Sequence, residues 1–193
     1  YAIVNAFGND PLPAGENVLG KVGGLSTVKG ASFSRPANTT AYTGTVNGAP
    51  GDLVADNTAA GSVTPLAIQA ARVNGGTGSI TAIRLSSNNA AGWTGSDVFR
   101  VHLFKQAPTV ANGDNGAFLP NGIGAIHLGY ADVTMEHKFS DGMKGKAVPS
   151  TGTPIVFDAA AGSQDIYALI EARTAYTPAS GETFTLALEI LRD

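Results

Sequence analysis

The chain has 193 residues, no cysteine, 14% charged residues and a net charge of −3. These values exclude disulfides and thiolate metal sites and give no electrostatic case for binding nucleic acid. They also do not fit a disordered chain, which needs high net charge and few apolar residues. No apolar run approaches the roughly 18 residues of a membrane span, and no charged-then-apolar signal segment stands at the start. The opening on Tyr1 rather than Met is expected of a chain that lacks a few leading residues or has been processed.

Residues 1–30 read differently from the rest. Residues 1–7 form a short strand candidate, and residues 8–15 are a cluster of Gly, Asn, Asp and Pro. The glycines that follow oppose a helix or long strand. Two readings stand: a flexible leader, or an extended N-terminal arm whose apolar residues Leu12, Leu19, Val22 and Leu25 dock on a neighbouring subunit.

Residues 31–193 are expected to form one β-sandwich domain. Residues 31–35 and 41–46 are short strand candidates, and residues 47–52 are a turn. Residues 65–73 and 79–85 flank Asn74-Gly-Gly-Thr-Gly78 and predict a β-hairpin. Residues 86–95 form a loop carrying the only tryptophan, Trp93. Residues 97–105 alternate, with Phe99, Val101 and Leu103 on one face and Arg100, His102 and Phe104 on the other, which predicts a strand. Pro108 and then Asn112-Gly-Asp-Asn-Gly116 make a long, tightly turned loop at its end. Residues 125–139 are two strands, or one bent strand with Gly129 as a bulge. Residues 140–145 read as a turn, 153–158 as a strand with Ile155 and Phe157 on one face, and 159–163 as a turn. Residues 165–176 begin as a continuous apolar run suited to a central strand. Residues 183–191 alternate, with Phe184, Leu186, Leu188 and Ile190 inward. Short strands with frequent turns and no amphipathic helix predict an all-β, jelly-roll-like antiparallel β-sandwich; the alternative is an immunoglobulin-like sandwich.

Residues with catalytic potential form no known constellation. His102, His127 and His137 lack the local spacing of metal ligands, and His102 is expected on the outer face of its strand. The loop oxygens of Asn112 and Asp114 suit a hard cation, but the EF-hand pattern and its later Glu are missing. No serine sits in G-x-S-x-G, and the glycines match no phosphate loop. Glu171 and Arg173, two apart, read as a same-face ion pair. No enzyme activity, metal or cofactor is expected. Trp93, Asn112, Asp114 and Phe118 are the candidates for exposed-loop binding; Tyr42 and Tyr176 could join an aromatic platform or anchor loops.

The phrases FRVHLF at 99–104, APTVANGDNGAF at 107–118 and IEARTAYTPASGETF at 170–184 resemble small structural proteins of tailed bacteriophages and prophages. FSRPANTTAY at 33–42, GDLVA at 51–55 and LPAGENVLGKV at 12–22 are similar to the same group, so the resemblance spans roughly residues 12–192. It implies a virion component without catalytic residues, most simply a head decoration or cement protein. Its partners would be the major capsid protein or other virion proteins, and its location the capsid exterior. Jelly-roll cement proteins commonly form trimers at local three-fold positions, so a homotrimer is implied. The alternative is a head-fibre, neck or tail protein that binds a host surface glycan. Neither version involves nucleic acid or a membrane.

Overall fold

The computed structural model describes residues 25–121 and 123–192. Eleven strands dominate it: β1 Leu25–Ser34, β2 Leu53–Val54, β3 Leu66–Gln69, β4 Thr77–Ser87, β5 Val98–Phe104, β6 His127–Thr134, β7 His137–Phe139, β8 Gly142–Ala147, β9 Ile155–Asp158, β10 Asp165–Ala172 and β11 Thr183–Arg192. Among the described residues helix is confined to single turns, α1 at Ile123–Ile126 and a 3-10 turn at Ala60–Ser62. The expectation of an all-β antiparallel sandwich holds.

One sheet runs β1-β11-β4-β8-β7, with β9 sharing the β8 side of β4. The other runs β2-β10-β5-β6, with β3 sharing the β2 side of β10. Every pairing is antiparallel. Among the described strands the first therefore lies beside the last, and β10 and β11 are flanked on both sides by strands from far earlier in the chain.

The alternation along β11 buries Phe184, Leu186, Leu188 and Ile190 completely. They meet Phe99, Val101 and Leu103 of β5 and Ile166, Ala168 and Ile170 of β10 across the layer between the sheets. A bulge in β4, where Glu189 faces Ala82 and Ile190 faces Ile80, leaves Thr81 as the extra residue. It turns both Ile80 and Ile83 inward although they stand three apart, which plain alternation forbids. Residues 127–134 are one strand with a bulge, Leu103 pairing with Gly129 and Phe104 with His127, but the bent strand expected over 125–139 is broken: residues 125–126 are helical and 137–139 form β7 in the other sheet. Gly129 takes φ +151 at the bulge.

Three further expectations are corrected. The hairpin across residues 74–78 does not exist, because β3 and β4 belong to different sheets. The fully buried small residues Ala70 and Ala71 let the chain cross from one layer to the other. Hydrogen bonds from Ala71 to Gln164, Gly75 to Ser163 and Ala159 to Gly76 tie this crossing to the parallel one between β9 and β10. Residues 142–145 are strand rather than turn. Gly145 lies so close to β6 that a Cβ would stand 2.0 Å from the Thr134 carbonyl oxygen, so its glycine marks a close approach and not a bend. Finally, β1 begins at Leu25, inside the stretch expected to be an arm, and pairs with β11 from Arg192 onward. Leu25 thus belongs to a strand, while Leu12, Leu19 and Val22 lie outside the described residues.

Candidate functional site

The residue types with chemical potential gather on the outer face of the second sheet. Arg100, His102 and Phe104 of β5 point there, with Tyr167, Leu169 and Glu171 of β10 and Tyr130 and Asp132 of β6 opposite them in register. Such a face would normally be solvated. Here the β5–β6 connection folds back over it. Leu53 donates to the Gly116 carbonyl at 2.7 Å, Asn115 to that of Leu53 at 2.9 Å and Phe118 to that of Gly51 at 2.8 Å. Phe118 then packs with Leu53, Ala55, Phe104 and Leu169 in a second, smaller core.

His102 lies on the outer face of its strand, as expected, but under this loop it is buried. Its ring stacks on Phe118 with centroids 4.4 Å apart. Its Nε2 lies 3.2 Å from Glu171 and its Nδ1 3.3 Å from His127 Nε2. With Nε2–H donated to the carboxylate, Nδ1 accepts the proton of His127. Burial lowers the affinity of His102 for a second proton, and the Glu171 charge does not overcome it. His127 is lowered for the same reason and by facing His102. Burial alone would raise the Glu171 carboxyl, but His102, the Gly51 N–H at 2.8 Å and Arg173 at 2.9 Å bring it down to about 2. The expected Glu171–Arg173 ion pair is present. Beside it, Arg100 grips Asp132 with two bonds of 2.7 and 2.8 Å and lies over the Tyr130 ring.

The loop's polar tip is also turned inward. Asp114, expected at an exposed binding loop, is buried. It pairs with Arg35 at 2.9 Å, both side chains wholly shielded from solvent, and accepts the Tyr42 hydroxyl at 2.6 Å and the Ala55 N–H at 3.0 Å. Arg35 also donates from Nε to the Tyr42 oxygen at 2.7 Å. Burial, with Asp114 next, pushes the Tyr42 phenol upward. These contacts occupy both Asp114 oxygens, two of those that suggested a cation. Among the described residues no group of three or more His, Cys, Asp or Glu is placed to hold a metal ion. Asn112 braces the loop internally through the Ala117 carbonyl at 2.8 Å.

Phe118 is likewise buried and offers no surface to a ligand. Tyr42 and Tyr176 stack on one another inside the sandwich, so neither forms an exposed platform. Trp93 is half-buried and donates from its indole to the Met135 carbonyl at 2.6 Å, a loop anchor. Trp93→Phe is expected to cost about 0.5–1.5 kcal/mol, measured by urea denaturation followed by circular dichroism.

The arrangement holds a long loop against a sheet. It binds Asp114 and Phe118 to positions that only the three-dimensional pairing reveals: Arg35 and Tyr42 come from a segment some 70 residues earlier. The sequence signal for Arg35 was its place at the end of a strand candidate, which says nothing of a distant carboxylate. No protein-family model and no curated protein matches this chain.

Proposed function

We propose that the chain is a structural component of a tailed-bacteriophage virion, a head decoration protein that binds the outer capsid surface and stabilises it. The observation that supports this reading best is the position of β1. It is a ten-residue strand at the edge of the six-stranded sheet, and the Pro-, Gly- and Leu-bearing residues 1–24 lead directly into it. An edge strand offers main-chain donors and acceptors to a neighbour, and a leading segment with a few apolar residues adds contacts beyond the domain. The strand order supports a jelly roll: among the described strands the first lies beside the last, and a five-position sheet faces a four-position one. The virion phrases at 99–118 and 170–184 agree with it. Their residues build the sealed loop and its anchors, an investment in a rigid surface.

The protein is expected to be a homotrimer by native mass measurement and to be present on purified particles in copy numbers set by capsid symmetry. The full chain with Leu12, Leu19 and Val22 all changed to Asp is expected to keep its fold and lose retention on capsids. A monomer found in only a few copies per particle overturns the proposal.

A further inference from the structure

The outer face of the six-stranded sheet carries a concavity, and it lies on the sheet opposite to the sealed loop. At one end of this face β4, β7, β8 and β11 enclose an open trough of about 410 Å³. That size falls within the roughly 300–1,000 Å³ of small-molecule sites.

Register explains its lining. Lys144, Ser86 and Thr185 stand side by side across β8, β4 and β11. In the neighbouring row Phe139 stands opposite Gly142. A Cβ on Gly142 would lie 2.1 Å from the Ser87 carbonyl oxygen, so this part of the floor is bare backbone. Phe139 keeps 54% of its surface exposed and forms an aromatic wall. Asp141, in the turn between β7 and β8, and Lys144 are both exposed and form no ion pair with one another or with any described residue. Asn88 accepts the Thr183 N–H through its oxygen at 2.9 Å, which fixes the amide and leaves its NH2 to donate. The Ser86 hydroxyl has only a weak partner, the Thr185 carbonyl at 3.5 Å.

This set selects a ligand class. One lysine opposed by one aspartate gives no net field for a phosphate or a nucleic acid. A shallow trough dense in hydroxyls buries too little apolar surface for a lipid or an apolar peptide side chain. What remains matched is a molecule with an apolar face and a rim of hydroxyls that both donate and accept. We propose that the trough binds a neutral hexose unit of a glycan. The C–H face of the sugar lies on Phe139. Its hydroxyls donate to the Asp141 carboxylate, accept from the Asn88 amide, and exchange hydrogen bonds with Ser86, Thr183 and Thr185. Single-site affinity is weak in so open a site, and repetition of the chain on a surface multiplies it. The site does not depend on the virion reading and stands on a monomer.

The test uses the full chain and a panel of maltotriose, cellotriose, mannotriose and N-acetylchitotriose at millimolar concentration, read by ligand-observed NMR. At least one is expected to bind, and Phe139→Ala and Asp141→Asn are each expected to weaken it about tenfold. Leu119→Ala, an exposed position on the opposite loop, is expected to leave binding unchanged. Unaltered thermal midpoints separate lost binding from lost fold, and the exposed positions of Phe139 and Asp141 favour intact folding. Absence of binding across the panel overturns the proposal. So does binding that both trough variants retain.

Discussion

Asp114→Ala is expected to remove about 3–5 kcal/mol of folding free energy, the cost of leaving a buried charge without its partner. Arg35 is 3% exposed and would keep only neutral acceptors, the Asn38 and Ala179 carbonyls, the Asn38 side chain and the Tyr42 oxygen. Tyr42 and the Ala55 N–H would lose their acceptor at the same time. The double variant Arg35→Met with Asp114→Leu removes both charges, and it is expected to be more stable than Asp114→Ala because no ion is stranded. Urea denaturation of the three proteins measures both differences. Amide exchange adds the local readout: the Asn115 and Phe118 N–H groups, bonded to Leu53 and Gly51, should lose protection in Asp114→Ala before the strands do. A loss below about 1 kcal/mol would place the pair among solvent-screened surface bridges and refute its role as the loop's anchor.

Acid should act on the same loop from its other end. His102 and His127 bind a proton less readily when folded than the ordinary value of 6.5. The unfolded chain therefore takes up more protons as the pH falls below 6.5, and stability declines from there. Glu171 acts lower down. Its folded value of about 2 lies beneath the ordinary 4.5, so its contribution is complete above 4.5 and is lost as the pH falls towards 2. The Glu171 part is worth about 3 kcal/mol. Arg173, Arg100, Asp132, Tyr130 and His127 face the same cluster and stay in place in the comparison. In Glu171→Gln the decline between 4.5 and 2 should flatten, while the decline below 6.5 persists. Urea midpoints measured from pH 8 to pH 3 decide it, and an unchanged slope in the variant would show that Glu171 does not carry the effect.

Legibility from the sequence followed the range of the interactions. β5 and β11 were plain because alternation is a property of the strand itself, and Phe184, Leu186, Leu188 and Ile190 all face inward as the pattern requires. β8 was missed because Gly142 and Gly145 carry no strand signal; their glycines answer to Ser87 and Thr134, distant in sequence. The hairpin at 74–78 failed for a related reason. Turn chemistry says that the chain reverses, not which layer it enters, and the choice was made by Ala70, Ala71 and the loop at 159–164. The site suffered most. Asn112 to Gly116 reads as an exposed turn, and its local composition holds no trace of the cation and phenol that draw Asp114 inside.

The central places of β10 and β11 also set an order of events during synthesis. β1 and β4 have no contact as partners except through β11, and β3 and β5 none except through β10. A chain leaving the ribosome presents its amino-terminal strands long before either bridging strand exists. The five-stranded sheet must wait until residue 172 has cleared the exit tunnel and the six-stranded sheet until residue 192 has, and the pairings then made span most of the chain, a topology that folds slowly. In that interval β1 is an unpaired ribbon, so a cell making this protein quickly would meet its aggregation hazard in nascent chains rather than in the finished fold.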